Sequence, residues 1–183
     1  MTLLEMKNDI LRMIEEVGVN SLTDDEDIEN KLNSVINQVM FELARIKKIP
    51  AFIAKTIEKD DYIFDLRSIE NFYQLFGARF TGIDGNEKEI DIFETILEVP
   101  CEGTLKIRYY KYPERITDDT TDSAYVFELA EDALEVMPYG VAADLLKSDV
   151  SNNYGKVYAE RYESMKQMLD PRYNVGMIYI EEA

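Results

Sequence analysis

Clustered carboxylates are the residues whose type and spacing most suggest chemistry, because grouped acids can hold a divalent cation. One cluster is Asp24–Asp27, and a second comprises Asp118, Asp119 and Asp122. Neither has the alternating spacing and later bidentate glutamate of a calcium loop, and in Asp84–Glu87 the glycine comes at the second position. These patterns favour a helix cap, a linker and a turn, so we predict no metal site.

Histidine is absent from the sequence, which removes several kinds of catalysis. Triads with a histidine base, histidine-ligated zinc and imidazole general-base chemistry are all excluded. The single cysteine, Cys101, excludes an internal disulfide and a multi-cysteine metal site. A distant carboxylate pair could hydrolyse glycosides, but among 37 acidic residues no pair stands out. We therefore predict that the protein is not an enzyme and uses no cofactor.

The net charge of −17 opposes direct binding of DNA, because acidic side chains repel phosphate. It also argues against the tyrosines as base-stacking platforms and favours them as core and subunit-interface residues. Hydrophobic residues make up 46% of the chain, which is enough to fill a core. No apolar run is long enough to cross a bilayer, and the N-terminal stretch lacks a signal-peptide pattern. We expect a soluble protein made in a cytoplasm.

Four segments repeat apolar residues every three or four positions, which predicts helices. They cover residues 1–17, 23–48, 126–149 and 154–169. Thr23, followed three residues later by Glu26, matches a capping box at the start of the second helix. Pro138 in the third helix must kink it or begin its second half.

Residues 51–112 have a different pattern, which predicts a small antiparallel sheet. Gly82–Asn86 is a hairpin signal. Leu105, Ile107 and Tyr109 alternate with polar residues, as in a half-buried strand. The predicted fold is α+β, with a four-helix bundle-like core, an inserted sheet subdomain and an extended C-terminal tail. Its parts are 1–50 and 113–170 for the core, 51–112 for the sheet and 171–183 for the tail.

Two further features suggest contacts with other chains. Lys106, Arg108, Lys111 and Arg115 form a basic strip on a strand and its exit, which is either a solvated face or a docking stripe for acids of a neighbouring copy. The apolar stretch 172–180 follows a proline and is too apolar for an ordinary solvated tail. It adds a strand to its own sheet or to another chain, and we favour another chain.

Several stretches resemble phage head-tail adaptor proteins, and the resemblance spans most of the chain. The run from Tyr125 to Leu146 looks like their penultimate helix, and 148–155 with 158–162 looks like their last helix. The ending from Leu169 through Ile180 resembles their C-terminal tail in phages of Gram-positive hosts. The strand ending Tyr109–Pro113 also fits.

The resemblance implies a non-enzymatic virion protein in the phage neck, made in the bacterial host. In that family the subunits form a ring, usually of twelve copies, between the portal protein and a stopper or tail-terminator component. DNA passes through the ring without specific binding, and no membrane is involved. The implied portal contact consists of Arg172, Tyr173, Asn174, Val175, Gly176, Met177, Ile178, Tyr179 and Ile180. The alternatives are a tail-completion or neck protein of another type, or a helical binding module.

Overall fold

The computed structural model describes residues 1–16, 23, 25–148 and 153–169. Among them are four α-helices and seven β-strands. The helices are α1 (Leu3–Met13), α2 (Glu26–Ile46), α3 (Glu131–Leu145) and α4 (Tyr154–Leu169). The strands are β1 (Ile49–Ile57), β2 (Ile63–Asp65), β3 (Phe72–Gly82), β4 (Glu87–Lys88), β5 (Asp91–Phe93), β6 (Ile96–Glu98) and β7 (Gly103–Lys111). The chain divides into two compact units, with Lys48–Glu114 as the sheet unit and the flanking segments as the helical unit.

The helical unit is organised around α3, which contacts α1, α2 and α4. Apolar residues occupy most of the circumference of α3, and eight of its residues are buried. A helix that is apolar on so many sides must be covered by several neighbours. The α-helix runs from Glu131 to Leu145 through Pro138.

Side chains at the helix N-termini accept hydrogen bonds from otherwise unpaired backbone N–H groups. Thr2 and Glu5 form a reciprocal capping box on α1, which the sequence analysis missed. The predicted box of Thr23 and Glu26 on α2 is wrong. Asp25 is the N-cap and accepts from the backbone N–H groups of Asp27 and Ile28, while the Thr23 hydroxyl accepts from Asp25 N.

The third predicted helix starts too early. Residues 126–130 are not helical, and Val126 forms an isolated bridge with Thr2. Phe127 and Leu129 are buried while their neighbours are exposed, which is the two-residue period of extended chain. The last predicted helix, residues 154–169, is confirmed as α4.

The sheet unit contains two antiparallel sheets. The larger has the strand order β1-β7-β3-β4, and the smaller has the order β2-β6-β5. Apolar side chains of both sheets and of the segments between their strands form one buried core, made of Ile57, Phe64, Leu66, Ile69, Phe80, Leu97, Val99, Leu105, Ile107 and Tyr109. The predicted hairpin at Gly82–Asn86 is confirmed: Gly85 donates its N–H to the Gly82 carbonyl with a positive φ that suits glycine.

The predicted four-helix bundle-like core with one small inserted sheet is wrong. The fold is mixed α+β, with four helices and two antiparallel sheets in the described residues. Segment 48–114 has a buried core of its own, so it is more than a small insertion in a helical bundle. It also contains a second sheet, formed by β2, β5 and β6. The predicted C-terminal tail lies outside the described residues.

Candidate functional site

One face of the four-stranded sheet is not covered by the core of the sheet unit. In β7 the side chains of Leu105, Ile107 and Tyr109 are buried, whereas Lys106 and Arg108 are exposed. Successive side chains of a strand point to opposite faces, so these two cations share the outer face. We call this surface the open face and define it by Phe52, Phe76, Arg79, Lys106, Arg108 and Tyr110.

Strand register places the other residues of the open face. In β1, Phe52 pairs with Arg108. In β3, Arg79 pairs with Lys106. Phe76 lies at a register shift between Leu75 and Gly77. Phe76 and Arg79 are three positions apart, so strict alternation would place them on opposite faces, and the extra residue of the shift lets both lie on the open face.

Aromatic rings dominate the apolar part of the open face. Phe52 is 59% exposed and Phe76 is 64% exposed. The rings of Phe76 and Tyr110 meet edge to face, with their centroids 5.7 Å apart. Lys48 Nζ lies 5.0 Å from the centroid of the Tyr110 ring, within range of a cation–π interaction. Large apolar side chains grouped in water are typical of a binding surface.

Positive charge on the open face is poorly compensated. Arg79 Nε lies 3.9 Å from Glu87 Oε1, a long and exposed ion pair that contributes little. Within the part of the chain that the structure describes, the side chains of Lys106 and Arg108 take part in no ion pair or hydrogen bond. Arg79 and Lys106 also lie directly opposite each other on adjacent strands, where like charges are destabilising.

Two open depressions, of about 390 and 630 Å³, shape this surface. Both are lined by Phe52, Phe76 and Arg108, and the smaller also by Arg79 and Lys106. Arginine, lysine and aromatic rings can bind an anionic and partly apolar partner by charge and stacking. The open face is therefore equipped for binding.

The four residues of the predicted basic strip do not lie together. Lys106 and Arg108 share the open face, but Lys111 follows Tyr109 on the opposite side of the β7 pleat. Arg115 belongs to the helical unit, where its guanidinium lies 5.6 Å from the centroid of the Phe41 ring. An inter-subunit role for the four residues stays a prediction.

Three residues of the open face were missed by sequence reasoning, namely Phe52, Phe76 and Arg79. Phe52 is at an alternating position of β1 that was available to a period-two pattern. Arg79 joins Lys106 only through the pairing of β3 with β7, which one strand alone does not reveal. The predicted portal contact, residues 172–180, lies outside the described residues.

Each of the three acidic stretches singled out in the sequence contains a carboxylate with a structural partner. Asp25 caps α2, and Asp122 pairs with Lys7. The backbone and side chain of Asn86 donate to the Asp84 carboxylate, and these bonds lower the pKa of Asp84. Across residues 1–16, 23, 25–148 and 153–169, no group of three or more histidine, cysteine or acidic side chains is placed to hold a metal ion. In the same ranges, no helix is long and apolar enough to cross a membrane.

Comparison with known proteins assigns no family. No protein-family model matches the sequence, and no curated relative matches it. The resemblance to head-tail adaptor proteins therefore rests on the residue patterns alone, and it stays a prediction.

Proposed function

We propose that this chain is a non-enzymatic structural subunit of a tailed-phage particle, a head-tail adaptor that forms a ring below the portal. The observation that supports an assembly role is the open face. It exposes Phe52 and Phe76 beside Arg108, which makes no side-chain hydrogen bond or ion pair to the rest of the described chain. Aromatic rings and arginine are the residues most enriched where proteins bind one another.

The other parts of the proposal come from the resemblance. Copies of the chain form the ring, and the segment 172–180 contacts the portal by adding main-chain hydrogen bonds to it. A stopper or tail-terminator component binds on the other side. The net charge of −17 keeps DNA from adhering as it passes, because like charges repel. The protein then belongs to the neck of the virion.

An assembly assay with the portal protein of the same phage tests the open face. The double substitution Phe52→Ser and Phe76→Ser removes two exposed rings without entering the core, so the variant should fold. We expect it to fail to form rings on portals in electron micrographs. Phe93→Ser is the matched control, because Phe93 is 75% exposed but lies on β5 of the smaller sheet. Rings that form equally well with the double variant would contradict the proposal.

Truncation after Pro171 tests the proposed portal contact separately. The shortened chain should show the same cooperative unfolding as the full chain and yet fail to bind portals. Unfolding of the truncated chain would show that the tail belongs to its own core. Undiminished portal binding would show that the contact lies elsewhere.

A further inference from the structure

We propose that the open face of one copy binds the acidic start of α3 in a second copy, through Glu131 and Glu135. This inference rests on the proposed ring-forming function and names the surfaces that join neighbouring subunits. The open face lies in the sheet unit and α3 lies in the helical unit, so the two surfaces are different. Contact between different surfaces of identical subunits is heterologous, and it closes into a ring when the rotation permits.

The sheet side of the contact needs an anion. Arg79 and Lys106 are directly opposite across the β3–β7 ladder, where Cβ atoms are about 5 Å apart. Arg108 follows two residues after Lys106 on the same face, so three cations share a small area. Their one acidic neighbour in the described ion pairs is Glu87, at 3.9 Å from Arg79. A carboxylate placed between Arg79 and Lys106 would attract both side chains and offset the repulsion between them.

The start of α3 offers the complementary charges. Glu131 and Glu135 are exposed and four residues apart, so they are neighbours on one helix face and repel each other. Neither forms an ion pair with another described residue. Asp132, in contrast, is already paired with Lys47 at 2.6 Å and is not available. Val126 is 59% exposed shortly before the helix and can meet the aromatic rings of the open face.

Local charge complementarity favours a second copy over nucleic acid as the occupant. Exposed rings beside cations can stack bases, but a chain of net charge −17 repels a polyanion at long range. A second copy carries the same net charge and is also repelled at long range. At contact, however, it presents the unpaired carboxylates of Glu131 and Glu135 on an α-helix, so the orientation in which they meet the cations of the open face is favoured over others. The contact offsets two unfavourable interactions at once, the repulsion between Arg79 and Lys106 and the repulsion between Glu131 and Glu135.

Charge reversal tests the pairing by sedimentation equilibrium at low salt and at high salt. Wild-type protein should self-associate at low salt, and screening should weaken the association. Arg79→Glu with Lys106→Glu should weaken it by about tenfold or more, and so should Glu131→Lys with Glu135→Lys. The quadruple variant, which exchanges both signs, should recover much of the lost affinity. Glu26→Lys with Glu29→Lys, at exposed acids in the first turn of α2, is the matched control and should leave association unchanged.

Three sedimentation results would overturn the inference: a wild-type chain that stays monomeric at low salt, a quadruple variant that associates no better than either double variant, or a control that weakens association equally. Tight binding of a single-stranded oligonucleotide that depends on Arg79 and Lys106 would also overturn it, in favour of nucleic acid. If the Arg79/Lys106 and Glu131/Glu135 double variants both form normal rings on portals, this inference is wrong, but the proposed function still stands. If the wild-type chain itself does not bind portals, the proposed function is wrong.

Discussion

The side-chain amide of Asn37 forms two hydrogen bonds with the backbone of Ile116. Asn37 Nδ2 donates to the Ile116 carbonyl oxygen at 2.7 Å, and Ile116 N–H donates to Asn37 Oδ1 at 2.9 Å. One side chain of α2 thus satisfies the donor and the acceptor of a residue in the connection between β7 and α3. The pairing fixes the position of Ile116, whose side chain is buried.

Substitution of Asn37 by aspartate should destabilise the protein. The carboxylate still accepts from Ile116 N–H, but it cannot donate and it repels the Ile116 carbonyl oxygen. We expect the free energy of unfolding to fall by about 1–3 kcal/mol, the cost of leaving a partly buried polar group unpaired. Urea denaturation measures the change. Gln38→Ala is the control, because its bond to Asp144 is exposed and its loss should cost roughly 0.5 kcal/mol or less. Equal losses in the two variants would show that the two-sided pairing has no special role.

Gly140→Ala should destabilise the helical unit although alanine is the better helix former by about 1 kcal/mol. A Cβ atom at Gly140 would lie 2.7 Å from Cε2 of the buried Tyr162 ring, so α3 and α4 would have to separate. We expect a net loss of about 1–3 kcal/mol in urea denaturation. Gly77→Ala is the matched control, because a Cβ atom there meets nothing within 4 Å. A more stable Gly140→Ala protein would mean that the ring moves aside freely.

Removing Asp122 from its ion pair with Lys7 should cost more stability than removing Lys7. Lys7 Nζ donates to both Asp122 oxygens at 2.9 Å, and the Lys7 side chain is 9% exposed while that of Asp122 is 25% exposed. Asp122→Asn leaves a buried cation and should cost about 2 kcal/mol, whereas Lys7→Met leaves a carboxylate that reaches water and should cost less. A double-mutant cycle by urea denaturation measures both costs and their coupling. The reverse order of costs would contradict this reading.

Stability should fall at alkaline pH because of Tyr162 and Lys166. Burial, with the nearby Glu42 carboxylate, raises the pKa of Tyr162. Burial lowers the pKa of Lys166, but hydrogen bonds to Glu163 and Glu42 outweigh it and leave the pKa raised. The folded state therefore keeps protons that the unfolded state releases near pH 10, so stability is full below that pH and declines above it.

Tyr162→Phe isolates the tyrosine contribution to this alkaline decline. Each group that titrates only in the unfolded state contributes up to about 1.4 kcal/mol per pH unit. The variant should be less stable at pH 8, because it loses the hydrogen bond to Glu42, and its stability should fall less steeply from pH 9 to 11. Urea denaturation across that range measures the slope. Identical slopes in the two proteins would assign the decline to other groups.

Sequence reasoning predicted the features that depend on neighbouring residues. The turn at Gly82–Asn86, the alternation of Leu105, Ile107 and Tyr109 in β7 and the helix at 154–169 all follow from local patterns, and the structure confirms them. The boundary of α3 was wrong because Phe127 and Leu129 continue an apolar pattern that fits a helix and an extended strand equally well.

Features that depend on pairing between distant segments could not be predicted. The second sheet exists because β6 pairs with both β2 and β5, three strands of three residues each that carry little periodicity of their own. On the open face, Lys106 and Arg108 could be recognised from one strand. Arg79 can be assigned to the open face only when the register of β3 against β7 is known. Phe76 joins Arg79 there only because a register shift between Leu75 and Gly77 breaks the alternation of β3.

The first and last strands of the sheet unit are partners, with Ile49 paired to Lys111. The two ends of the sheet unit therefore lie side by side, as expected for a domain inserted into another. Domains with adjoining ends tolerate being inserted, exchanged or removed. An insertion of this kind can be exchanged for another during evolution while the helices keep their packing.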